Sequence, residues 1–93
     1  MEKNFYVYML RCADDTIYTG YCVDIINRLK QHSIGKASKY TRARLPVELV
    51  YIKRLETKSE AMKEEIRIKK LGRIKKLQLI EEYDNSIEKN KFL

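Results

Sequence analysis

Tyr8 and Tyr18 stand in two aromatic runs, Tyr6-Val7-Tyr8 and Tyr18-Thr19-Gly20, separated by the turn-like Ala13-Asp14-Asp15-Thr16. Arg28 and His32 follow, four positions apart, and Glu65 comes later where an apolar residue is expected. These side chains could together handle a phosphodiester. A guanidinium grips phosphate with its planar fork. Phenols and imidazoles can move protons. A carboxylate can hold a hard cation. Their value depends on the elements that bring them together.

Each residue also has a plainer reading. Ala61, Met62, Ile66 and Ile68 span one arc of a helix, with Glu65 near the middle. A carboxylate there is costly unless it is paired or binds a cation. A Glu65–Lys69 pair at i,i+4 is the structural alternative. Arg28 can equally be an exposed charge beside the Ile25–Leu29 stripe, and His32 a partly buried polar group. Tyrosines suit half-buried strands. Lys36, Lys39, Arg42 and Arg44, with Tyr40 among them, suit a phosphate backbone and a stacked base, or a solvated basic loop.

The elements follow from pattern. Asn4 to Cys12 is apolar on both faces, as in a central strand. Thr16 to Tyr21 returns as its hairpin partner, placing Tyr8 and Tyr18 within about two residues of opposite. Asp24 caps a helix to about Ile34, with Ile25, Ile26 and Leu29 as its apolar stripe, and Gly35 ends it. Lys36 to Leu45 is a basic loop closed by Pro46. Val47 to Leu55 alternates as a third strand. Thr57 and Glu60 form a capping box, opening a helix to about Leu71. After Gly72 another helix runs from Arg73 to Tyr83. The order ββαβαα predicts an α+β fold, a mainly antiparallel three-stranded sheet flanked by helices. One domain is expected over 1–83, with a polar tail over 84–93.

Composition narrows the class. Twenty Lys and Arg against thirteen Asp and Glu give a net charge of +7. On so small a domain that favours polyanion partners. The first apolar run, Phe5 to Leu10, is too short for a signal sequence or a membrane span. Cys12 and Cys22 supply neither a disulfide framework nor a four-ligand zinc site. Free thiols in the cytoplasm are expected, though a bridge across the hairpin is geometrically conceivable.

From about Phe5 to Ile80 the chain resembles the GIY-YIG nuclease superfamily, in its small stand-alone bacterial branch. The runs FYVYMLRCADDTIYTGYCVDIINRLKQH, GKASKYTRARLPVELVY and SEAMKEEIRIKKL carry the likeness by their order and spacing. Tyr6 replaces the usual glycine of the first half-motif, and Thr19 the isoleucine of the second. The late asparagine of many members has no counterpart inside the domain; Asn85 and Asn90 lie in the expected tail. The resemblance implies a metal-dependent endonuclease acting on DNA, or RNA, in repair or nucleic-acid processing. It implies that Glu65 holds one Mg²⁺ or Mn²⁺ ion. Tyr8 would be a general base, its pKa lowered by Arg28 and by a hydrogen bond from Tyr18. Arg28 would meet transition-state charge. His32 and Tyr40 would position phosphate or assist proton transfer, and Gly20 would allow close backbone approach. Two rivals keep the fold without cleavage: a nucleic-acid-binding module, and an adaptor for a larger protein. A monomer is expected.

Overall fold

The central strand of the sheet is the first, β1 (Phe5–Arg11), whose run of apolar side chains is buried on both faces. In this computed structural model, which describes residues 4–85, β1 lies between β2 (Ile17–Cys22) and β3 (Glu48–Leu55), antiparallel to both. The helices are α1 (Ile25–Ser33), α2 (Lys39–Arg42), α3 (Lys58–Lys69) and α4 (Arg73–Asp84). The α+β expectation and the ββαβαα order hold, with α2 as an added turn of helix. Among the described residues no helix is long and apolar enough to cross a membrane.

The register sorts side chains onto two faces. Tyr8 pairs with Gly20 and with Ile52, and Leu10 with Tyr18, so these residues share one face. Tyr18 is thus two positions from opposite Tyr8. Val7 pairs with Lys53 and Met9 with Tyr51 on the other face. There Tyr51 packs on Tyr83 of α4, and Lys53 meets Glu64 of α3. Both faces are covered, and Val7, Tyr8, Met9 and Leu10 are fully buried.

Local chemistry sets the ends of the elements. In the β1–β2 turn, Asp14 Oδ1 accepts from the backbone N and the hydroxyl of Thr16, and Asp15 takes a positive φ of 68°. Asp24 caps α1, accepting from the Asn27 N–H at 3.0 Å. Gly35, at φ 79°, follows the end of α1, where a side chain would be strained. Thr57 and Glu60 make both halves of the capping box at α3. The Leu45–Pro46 peptide is cis.

Two helical stripes differ from expectation. On α1 the buried side is Ile25 and His32, with Leu29 partly buried between, while Ile26 faces solvent. Adjacent residues diverge by about 100°, so Ile25 and Ile26 cannot both face the sheet. On α3 the buried residues are Ala61, Glu64 and Ile68; Met62 and Ile66 are exposed. The carboxylate inside the stripe is therefore Glu64, and Glu65 lies at its edge. Arg67 Nε and Nη2 and Lys53 Nζ donate to Glu64, which makes its burial tolerable. The expected tail begins within α4: Asp84 is helical and Asn85 caps the helix, while Asn90 lies outside the described residues.

Candidate active site

Tyr8 is the hub. Its phenol is buried beneath α1 and lies 2.8 Å from His32 Nε2. On the far side of the imidazole, Nδ1 is 2.9 Å from Thr41 Oγ1. The Thr41 hydroxyl donates to the Ser38 carbonyl at 3.3 Å. With its proton committed there, Thr41 accepts from His32 Nδ1–H. That tautomer leaves Nε2 as an acceptor, so Tyr8 donates to it. Burial, and next the Arg28 charge, hold the His32 pKa below its ordinary value, so the imidazole is neutral.

The expected activation of Tyr8 takes another form. Arg28 does pull the phenol's pKa down, but burial, then Tyr18 and Cys22, push it up harder, and Glu65 adds to the rise. The net shift is upward, so desolvation outweighs the cation. The phenol's hydrogen bond also runs to His32 and not to Tyr18. Tyr18 instead packs its ring against Tyr8, with centroids 6.4 Å apart, and edge-on to His32 at 5.3 Å. Gly20 makes room for this arrangement. A Cβ there would sit 2.7 Å from Tyr8 Oη and 2.9 Å from its Cζ. The close approach is to the Tyr8 ring itself.

Arg28 and Glu65 complete the neighbourhood. Arg28 is half-buried; its charge acts on Tyr8, Cys22 and His32, and it enters no ion pair among the described residues. Glu65 has 19% of its side chain exposed, and one loose partner, Lys69 Nζ at 3.5 Å. The ion-pair alternative therefore exists, yet it leaves Glu65 far less engaged than Glu64. Cys12 and Cys22 are free thiols, both buried. Burial pushes the Cys22 thiol up to about 11.

The basic segment is more structured than a loop. Ser38 caps α2, accepting from the N–H groups of Tyr40 and Thr41. Lys36, Lys39 and Arg42 border a shallow depression of about 490 Å³. Arg44 is engaged elsewhere: it bonds Asp14 Oδ2 at 2.9 Å and lies 3.8 Å over the Tyr40 ring. Tyr40 also stacks on Tyr18, with centroids at 6.0 Å. Tyr40 nevertheless keeps 36% of its surface exposed. Sequence reasoning missed Thr41. Ser38 before Lys39-Tyr40-Thr41 was the available sign, as a helix cap placing Thr41 in a first turn.

Known proteins match this architecture closely. A family model described as the GIY-YIG catalytic domain matches residues 4–78, spanning the tyrosine pair, Arg28, His32 and Glu65. The chain belongs to the GIY-YIG family. That superfamily is generally endonucleolytic, and GIY-YIG nucleases act on nucleic acids. A UPF0213 protein of Oceanobacillus iheyensis is 53% identical, the match covering 87% of this chain and 94% of that protein. One from Natronomonas pharaonis is 49% identical, covering 86% and 94%. The solution NMR structure of a UPF0213 protein from Bacillus halodurans superposes with a TM-score of 0.61 at 43% identity, covering 97% of this chain and 96% of that one. Among GIY-YIG proteins the chain thus resembles small relatives of its own length.

Proposed function

We propose that this chain is an endonuclease that hydrolyses phosphodiester bonds, with DNA as its first candidate substrate and repair or nucleic-acid processing as its setting. The observation that carries the reading is the Tyr8–His32 hydrogen bond, on a phenol that feels the charges of both Arg28 and Glu65 in a GIY-YIG chain. A phenol raised in pKa is a poor base alone, but here its own proton has an acceptor. As attacking water gives a proton to Tyr8 Oη, Tyr8 passes its proton to His32 Nε2. The water oxygen forms the new bond to phosphorus. The leaving oxygen departs with its bonding pair and takes a proton from solvent. Arg28 meets the charge that grows on the phosphate.

Glu65 fits a metal of one type. Among the described residues no three His, Cys, Asp or Glu groups converge as a protein cage. A single accessible carboxylate suits Mg²⁺ or Mn²⁺, whose remaining positions water and phosphate oxygens fill. Such an ion would stabilise charge on the phosphate and leaving oxygen.

The test is cleavage of supercoiled plasmid, branched DNA and RNA, each with Mg²⁺ or chelator. Glu65→Ala, Tyr8→Phe and Arg28→Ala run alongside. Loss of product in all three is expected; product that persists in all three sinks the proposed site. A non-catalytic binding module is the second reading, and the buried, raised Tyr8 phenol favours it. It predicts nucleic-acid binding with no metal-dependent product on any substrate.

A further inference from the structure

The α3–α4 turn carries charge that the site described above does not use. Between Ile66 and Ile80 the chain has six cations, Arg67, Lys69, Lys70, Arg73, Lys75 and Lys76, and no acid. Arg67 serves Glu64 and Lys69 serves Glu65. Arg73 donates to Asp15 through Nη1 at 2.9 Å and Nη2 at 3.0 Å. Lys70, Lys75 and Lys76 enter no ion pair among the described residues.

Part of this charge stabilises its own helix. Cations in the last turn of α3 oppose the dipole there. The first turn of α4 is the reverse case. Gly72 supplies no side-chain cap, no acid lies in that turn, and Arg73, Lys75 and Lys76 surround a helix end that is already positive. Each exposed cation there is unfavourable by about 0.3–1 kcal/mol, which an external anion would relieve.

Position ties the turn to the site. Arg73 fastens it to Asp15, while Arg44 fastens the basic Lys36–Arg44 segment to the adjacent Asp14. Both basic segments therefore hang from the hairpin turn that joins the Tyr8 and Tyr18 strands. Along α3, Glu65 to Lys70 is about 7.5 Å at about 1.5 Å per residue.

We infer that Lys70, Lys75 and Lys76 form a second phosphate-contact surface, gripping the backbone of a nucleic-acid duplex beyond the position held at Glu65. The inference rests on the nuclease reading above and extends its footprint. Charge complementarity commits it to a polyanion. Residues 69–76 contain no aromatic, so they offer no platform for stacking the bases of a single strand. The exposed tip residue, Ile74 (74% exposed), makes an anionic lipid surface the rival partner.

The experiment is fluorescence anisotropy with a labelled DNA duplex in chelator, across a salt series. The chains are the wild type, Lys70→Gln/Lys75→Gln/Lys76→Gln and a charge-matched control, Lys30→Gln/Lys58→Gln/Lys63→Gln. Glutamine is a good helix former, and Lys75→Gln alone decides the matter if the triple variant does not fold. The expected result is at least a tenfold weaker Kd for the first variant and a salt slope shallower by about 2–3. The single variant should make the slope shallower by about 1. Equal weakening in both triple variants overturns the proposal as a net-charge effect. Unchanged duplex binding with lost binding to phosphatidylglycerol vesicles overturns it in favour of a membrane contact. Unchanged binding, lost instead in Lys36→Gln/Lys39→Gln/Arg42→Gln, overturns it and leaves the nuclease reading standing. A wild type that binds no duplex overturns the inference, while the plasmid, branched-DNA and RNA cleavage assay decides the nuclease reading separately.

Discussion

Tyr8 Oη lies 2.8 Å from His32 Nε2, with both side chains buried. The bond makes the phenol's proton transferable where its pKa alone would hold it in place. Tyr8→Phe should lower the cleavage rate by about 10²- to 10⁴-fold with duplex affinity kept. It also leaves Nε2 without a donor, at about 1–3 kcal/mol. The rate should rise with pH as His32 loses its proton. Its folded pKa is depressed, so the midpoint of the rise should lie below the ordinary value of about 6.5. Stability has the same sign. As pH falls through about 6.5 the unfolded chain binds its proton first, so stability declines. A pH–rate profile beside urea melts checks both.

Thr41 acts through His32. Thr41→Val removes the acceptor at Nδ1 and frees the ring to place its proton on Nε2, which blocks donation from Tyr8. The rate should fall roughly 10-fold or more, with KM little changed. Thr41→Ser should restore it. The ¹⁵N shifts of the His32 ring report the tautomer directly, and an unchanged tautomer in Thr41→Val would remove the positioning role.

Much of this was legible in the chain, for local reasons. The two-faced apolarity of Phe5–Leu10 marks a central strand, and Thr57 with Glu60 marks a helix start, since each signal lies within a few residues. The illegible parts depend on distant partners. Glu64 is buried because Lys53, on another element, meets it; nothing in the α3 pattern distinguishes it from Glu65. Thr41 matters because His32 folds onto it, and four residues are too few for α2 to show a period. Tyr8's raised pKa is a contest between burial and Arg28 that spacing cannot weigh.

Gly20 holds space for the Tyr8 ring. Gly20→Ala should push Tyr8 off His32, because the new methyl would lie 2.7 Å from Oη and 2.9 Å from Cζ. Overpacking of this type costs about 1–3 kcal/mol. In a Tyr8→Phe background the contact with Oη vanishes while that with Cζ stays, so the thermal penalty should shrink without disappearing. Equal penalties in the two backgrounds would show that the clash lies elsewhere.

Glu64 governs acid stability. Hydrogen bonds, first from Arg67 and then from Lys53, hold its carboxyl at about 2. A depressed folded pKa stabilises the fold above the unfolded value. That contribution is lost as pH falls from about 4.5 towards about 2. Both partner side chains are about half exposed, at 48% and 52%. The contribution is therefore nearer about 1–2 kcal/mol than the 3–5 of a sealed pair. Glu64→Gln should lose it at neutral pH and flatten the acid limb of a denaturation series, leaving cleavage intact.

Glu65 and Lys69 compete with a cation for one carboxylate. Their 3.5 Å pair is half exposed on the lysine side, so it is worth no more than about 1 kcal/mol. Lys69→Gln should therefore tighten Mn²⁺ binding by up to about 5-fold, and Glu65→Gln should abolish it. Electron paramagnetic resonance titration of Mn²⁺ measures both without any turnover. Mn²⁺ bound equally by Glu65→Gln and the wild type would place the ion on other ligands. Tighter binding in Lys69→Gln that vanishes when Glu65→Gln is added would assign the competition to this pair.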